Sequence, residues 1–316
     1  MKKTGFLFDK RYMLHETSSY HPEIPERLTA IYQGINEAGL LEKLTLINGS
    51  RADLKWIETV HDKDYINSFQ DACTAGKKLF CHPDNQMCCE TFETSLLAVG
   101  GILDTVDLLM KGEIDNAFCA VRPPGHHAET AEAMGFCYFN NVAIAARYLQ
   151  LRWEITNVGI FDFDVHHGNG TQQIFEQDSS VFYYSIHEHP SFAYPGTGRE
   201  FEYGSGPGYG FTKNSPVLPG QGDSEYKKLI KQNLLADFGK FMPEVILVSV
   251  GFDGHVDDDM SGIKLSTNWY SWIMEKVMEM SDKYSNGRLV TILEGGYSLK
   301  RLPELAKNHV SVLLDV

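Results

Sequence analysis

The eleven residues from Gly159 to Asn169 read GIFDFDVHHGN, an apolar run that ends in two aspartates and two histidines. Asp162, Asp164 and His166 alternate with Phe163 and Val165. In an extended chain that spacing turns all three polar side chains to one face. Carboxylate and imidazole converging at a strand end form a donor set suited to Zn2+ or Fe2+. Buried there without a metal or hydrogen bonds, such groups would be costly. A strand simply running out into solvent also ends in Asp and His, so the remaining strand ends decide the matter.

Four further apolar runs end in comparable clusters. Ala117–Val121 leads to Arg122, two prolines, Gly125 and the tandem His126-His127; Val181–Ile186 leads to His187, Glu188 and His189. Val245–Val250 leads to Gly251, Phe252 and Asp253, and Leu289–Leu293 leads to Glu294, two glycines and Tyr297. A catalytic zinc takes three protein ligands and keeps one position open. Asp164 and His166 supply two, and Asp253 is the natural third. Asp162 shares their face but lies deeper, where it would orient a histidine or help hold a monovalent cation. His126 and His127 suit a general base and acid beside an activated water. Tyr297 suits a donor to a developing oxyanion. Phe136, in MGFCYFN, reads as an apolar wall or as plain core, and the acidic run Asp257–Asp259 reads as a solvated loop.

Elements that alternate between apolar runs and helical periodicity must position these groups. Asn141–Leu151 and Thr267–Met280 have helical spacing, and Ser224 could cap a helix carrying Tyr226, Leu229, Ile230, Leu234, Leu235 and Phe238. Apolar strands with intervening helices predict a mainly parallel sheet covered on both faces, here as one α/β domain spanning residues 1–316. Ligands of such sheets bind outside the strands' carboxyl ends, where all five clusters fall.

Composition narrows the function further. The 316 residues carry a formal charge of −14 and no Lys/Arg cluster, which argues against nucleic acid as a partner. No run approaches a membrane span, and the start, MKKTGFLFDKRY, does not read as a secretory signal. Six cysteines form no C-x-x-C pair; reduced thiols in a cytoplasmic protein are expected.

Taken together, YHPEIPERL, RPPGHHA, MGFCYFNN, FDFDVHHGNGTQ, YSIHEHPSFAYPGTG, LVSVGFDGHVDD and ILEGGY resemble the histone deacetylase superfamily, an arginase-like group that includes acetylpolyamine amidohydrolases. HHGNGTQ is closer to class II and bacterial members than to class I. The resemblance implies an eight-stranded, mainly parallel sheet. It implies Asp164, His166 and Asp253 as zinc ligands, His126 and His127 as the catalytic pair, and Tyr297 as the residue that polarises the acyl carbonyl. It also implies a structural K+ held by Asp162, Asp164, His166, Ser185 and Ile186. Phe136 with Tyr194 or Phe192 would wall an acyl-lysine tunnel that Gly125 and Gly296 also line. Asn169 stands where class I members have Asp, so His127 lacks a charged partner. Tyr297 is not the His of weakly active class IIa members, and Met260 replaces the acidic gatekeeper of polyamine-selective ones.

The expected activity is hydrolysis of N-acetyl-lysine in a protein or peptide, with Zn2+, or alternatively Fe2+, as cofactor. An acetylpolyamine or other small acylated amine is the second substrate class, and a non-catalytic metal protein that binds acylated ligands is the third reading.

Overall fold

The computed structural model describes residues 2–315. Among the described residues ten strands occur in chain order: β1 (Thr4–Leu7), β2 (Thr45–Ile47), β3 (Leu79–Phe80), β4 (His82–Gln86), β5 (Asn116–Cys119), β6 (Val158–Asp162), β7 (Val181–Glu188), β8 (Thr212–Val217), β9 (Val245–Val250) and β10 (Leu289–Leu293). Eight of them build one sheet in the order β2-β1-β5-β10-β9-β6-β7-β8, and every pairing in it is parallel. β3 and β4 form a separate antiparallel ribbon.

The five strands that end in polar clusters, β5, β10, β9, β6 and β7, are consecutive neighbours in this sheet. All five are buried at every position. An all-parallel sheet needs cover on both faces because its crossovers are helices. Thr91–Met110 packs with Asn141–Trp153, while Glu26–Glu37, Leu302–Leu314 and Thr267–Tyr284 pack together as a second group. The helix Thr91–Met110 buries fifteen of its twenty residues, so its mostly apolar sequence reflects a core position, and no helix among the described residues is long and apolar enough to cross a membrane.

One local expectation changes. The helix anticipated from Ser224 onward is two helices, Asp223–Gln232 and Leu234–Phe241, with Gly222 rather than Ser224 at the first cap. The break falls at Asn233, whose amide donates to Ser215 Oγ at 2.9 Å and whose ψ of −71° leaves the regular helix. The edge strand β8 has no apolar run; its sequence, TKNSPV, places Pro216 where an edge tolerates a missing N–H.

Candidate active site

β6 ends at Asp162, and the chain bends immediately beyond it. Asp164 and His166 therefore do not continue an extended strand, as their alternation implied. Short side chain–backbone bonds place them instead. Asp162 Oδ1 accepts from Asp164 N at 3.1 Å, and Asp164 Oδ1 accepts from His166 N at 2.9 Å. Asp253, at the end of neighbouring β9, accepts from Val165 N at 3.1 Å. One ligand atom each from Asp164, His166 and Asp253 lie within 4.8 Å of one another. His166 Nδ1 is 3.2 Å from Asp164 Oδ1 and 3.1 Å from Asp253 Oδ2.

These donors fit a divalent cation. Both carboxylates are essentially inaccessible to solvent, and burial together with the Asp164 charge pushes Asp253 up to about 6. Two buried carboxylates with one imidazole between them are short of positive charge, which a divalent ion restores. Gly295 leaves room for the cluster: a Cβ there would stand 2.1 Å from Asp253 Oδ2 and 2.6 Å from Asp164 Oδ2, while its N–H donates to Asp164 Oδ2 at 2.8 Å.

The tandem histidines face this cluster from the end of β5, and their environments separate them. Both are buried. Burial opposes charge on His126, but the Asp162, Asp164 and Glu294 carboxylates outweigh it and raise the ring to about 10. Its Nδ1 lies 3.0 Å from Asp162 Oδ2. His127 goes the other way: burial, then the neighbouring His126 and His166 charges, hold it well below its usual value. His127 Nδ1 lies 2.8 Å from Asn169 Oδ1, and Asn169 Nδ2 donates to Glu129 Oε1 at 2.7 Å. That bond fixes the amide so that its oxygen faces the ring. Nδ1 therefore carries the hydrogen and Nε2 keeps its lone pair.

A cavity of about 220 Å³ opens onto these groups, lined by Asp84, Pro124, His126, His127, Gly135, Phe136, His166, Tyr194, Met260, Gly295 and Tyr297. Pockets for drug-sized ligands run roughly 300–1,000 Å³, so this one suits a single slender arm. Phe136 stands edge-on to the Tyr297 ring at 6.1 Å, and Tyr194 edge-on to His127 at 5.1 Å. Burial raises the Tyr297 phenol well above its usual value, so it stays a donor at neutral pH.

Three tunnel expectations need correction. Phe192 is 65% exposed and lies outside the lining; the turn closed by Phe192 N–H to His189 O carries its ring out against His189. Gly125 and Gly296 sit behind the wall, and Gly135 and Gly295 occupy the lining instead. Gly125 N donates to Glu294 Oε2 at 2.7 Å, and Gly296 O accepts from Arg27 Nε at 2.6 Å. Both backbones are thus occupied in holding neighbouring segments. Of the residues expected around K+, Asp162 and Ser185 lie side by side in register across β6 and β7, with Ile186 next along the strand.

Sequence reasoning missed the supports. Glu294 accepts from Gly125 N, His126 N and Ser249 Oγ, so it fixes the backbone of the histidine pair. Burial pushes its carboxyl up to about 7. Glu23 lies buried between Arg27 and Arg122, and Arg27 also donates to Glu294 O at 2.6 Å. Asp258, read as part of a solvated acidic loop, is only 6% exposed. The one signal for Glu23, Arg27, Arg122 and Glu294 was their place within HPEIPERL, RPPG and a strand end; Asp258 gave none.

Residues 21–313 match the family model described as histone deacetylase domain. A protein of Archaeoglobus fulgidus named probable deacetylase is 36% identical over 299 residues, covering 94% of this chain and 82% of that protein. Histone deacetylase 5 of Arabidopsis thaliana is 34% identical over 99% of this chain, which spans only 49% of that plant protein. The crystal structure of the HDA15 HD domain superposes with a TM-score of 0.94 at 34% identity, covering 99% of this chain and 88% of that one. With the strand ends, the buried cluster and these matches in agreement, the chain belongs to the histone deacetylase family.

Proposed function

We propose that this protein is a zinc-dependent deacetylase that hydrolyses N-acetyl-lysine amides in peptides or proteins. The observation that carries this reading is a three-donor cluster beside a narrow cavity, faced by two adjacent histidines whose Nδ1 atoms rest on different partners, the Asp162 carboxylate for one and the Asn169 amide oxygen for the other. Zn2+, or alternatively Fe2+, held by Asp164, His166 and Asp253 would supply Lewis acidity to the acyl carbonyl and to a water molecule.

The chain's own residues do the rest. Phe136 and Tyr194 confine the aliphatic arm and exclude bulk water. Neutral His127 takes a proton from water at Nε2, while cationic His126 adds positive charge where negative charge develops. Tyr297 donates a hydrogen bond to the carbonyl oxygen as it becomes an oxyanion. His127 then returns the proton to the departing amine, leaving acetate and a free lysine. Asp162 and Ser185, with the backbone carbonyls of Asp164, His166 and Ile186, suit a K+ beneath the site, an oxygen-rich arrangement for a hard cation.

Met260 in the lining favours a neutral, apolar arm; Asp84 at the same cavity is the feature that keeps small cationic acyl-amines as the second substrate class. Turnover of an acetyl-lysine peptide and of N-acetylputrescine, measured side by side on zinc-loaded protein, tests the reading. Faster turnover of the peptide is expected. Preference for the polyamine overturns the substrate assignment, and binding without hydrolysis of either overturns the enzymatic one.

A further inference from the structure

The Tyr297 hydroxyl makes no hydrogen bond to a protein group among the described residues, so its aim depends on what holds the ring and the backbone. The ring has Arg27 over one face, with the guanidinium carbon 4.7 Å from its centroid, and Phe136 at its edge. The backbone is more demanding. Two glycines precede the tyrosine, and Gly296 has φ of +112°, so Glu294-Gly-Gly-Tyr297 has unusual freedom unless it is anchored. Gly295 is tied to Asp164, and the carbonyls of Glu294 and Gly296 are tied to Arg27. The remaining anchor is the carboxylate of Asp258. Its Oδ2 accepts from Tyr297 N at 2.6 Å and Ser298 N at 2.9 Å, and its Oδ1 accepts from Met260 N at 3.2 Å.

We propose that Asp258 is a positioning residue: a buried clamp that joins the Tyr297 segment to the Met260 segment and sets the phenol's distance to the reacting carbonyl. The proposal rests on the reading of Tyr297 as oxyanion donor. One carboxylate spans two lining residues that come from different strand ends, so a shift in either moves the other. The clamp also explains why an aspartate in an acidic triplet is buried while its neighbours Asp257 and Asp259 are exposed.

An isosteric test exists because both oxygens face donors only. In Asp258→Asn the amide NH2 must point at Met260 N–H or at the Tyr297 and Ser298 N–H groups, whichever way it flips, while side-chain volume is unchanged. A displacement of about 1 Å in a reacting group costs on the order of a hundredfold. We expect kcat to fall by about tenfold to a hundredfold, with KM within about threefold and bound zinc unchanged. In a Tyr297→Phe background, the same substitution should alter kcat by less than about twofold, because no hydroxyl remains to aim. Should the asparagine protein not fold, Asp258→Glu, which keeps the charge but displaces both oxygens, carries the same comparison.

Turnover within threefold of the parent, or an equal fall with and without the Tyr297 hydroxyl, overturns the clamp. Loss of zinc in Asp258→Asn also overturns it, since that would mark an electrostatic role toward Asp253. Turnover that survives Tyr297→Phe removes the reading of Tyr297 and this proposal with it. A collapse in Tyr297→Phe beside an intact Asp258→Asn removes the clamp alone.

Discussion

Adding charge behind His127 should move the pH profile in a direction that the geometry dictates. The ring's Nδ1 faces the neutral Asn169 Oδ1 at 2.8 Å. A full negative charge about 4 Å from the ring, at an effective dielectric of about 20, stabilises the imidazolium by about 4 kcal/mol, or about three pKa units. The substitution is not simply Asn169→Asp, however. Asn169 Nδ2 sits 2.7 Å from Glu129 Oε1, so a second carboxylate there would be repelled by Glu129 and turned away from the ring. Asn169→Asp combined with Glu129→Gln removes that conflict, because the glutamine amide can donate to the new carboxylate.

His127 works only when neutral, so a raised pKa moves the acid limb of kcat/KM to higher pH. With partial solvent screening, the double variant should shift that limb upward by about one to two units, and Asn169→Asp alone by less than half as much. Activity on the acid side then falls while the plateau at higher pH is kept. The assay is kcat/KM for an acetyl-lysine peptide from pH 5 to 9, with zinc content and melting temperature as controls. An acid limb that stays in place or moves down, in a protein that otherwise matches the parent, refutes His127 as the base.

Further outcomes follow from single contacts. Gly295→Ala would place a methyl 2.1 Å from Asp253 Oδ2; zinc affinity measured by competition with a chelator should drop by about tenfold or more, and unchanged affinity would contradict the ligand assignment. Tyr194→Ala should raise KM for an acetyl-lysine peptide by about tenfold through the loss of one wall, whereas Phe192→Ala should leave it within about twofold, since its ring faces solvent. Burial opposes charge on Glu23, but Arg122, the His15 hydrogen bond and Arg27 outweigh it and hold the carboxyl far below its usual 4.5. Its stabilisation is therefore present above pH 4.5 and lost as pH falls toward the folded-state value. Glu23→Gln should cost about 3–5 kcal/mol at pH 7 in urea unfolding, with a smaller difference at pH 3.5; a pH-independent difference would contradict the linkage.

The five strands flanking the site were legible because apolar, β-branched runs that end abruptly in charge rarely form anything but buried strands. Bounds for β9 and β10 agree with the expectation from sequence, and β5 and β7 differ by up to two residues at an end. β1, β2 and β8 were not legible: they are short, or polar at the sheet edge, where hydrogen bonding to a neighbour rather than burial decides the conformation. The same division holds within the site. Asp164, His166, Asp253, His126, His127 and Tyr297 announce themselves by chemical type at strand ends. Asp258 and Phe192 do not reveal their setting, because an aspartate among aspartates and a phenylalanine in an aromatic loop look alike whether buried or exposed.

What the amino-acid sequence determined by itself was the inventory: which donors, acids and aromatics exist, and that five β-strands deliver them to one edge of a parallel sheet. Only the tertiary structure decided how they act. Strand order made β5, β10, β9, β6 and β7 neighbours, and burial beside different partners left His126 charged and His127 neutral. The physical reason is that a side chain's charge state and aim depend on groups distant in the chain. Asp162, Asn169, Glu294 and Asp258 exert their fields and hydrogen bonds only once folding has removed the water between them.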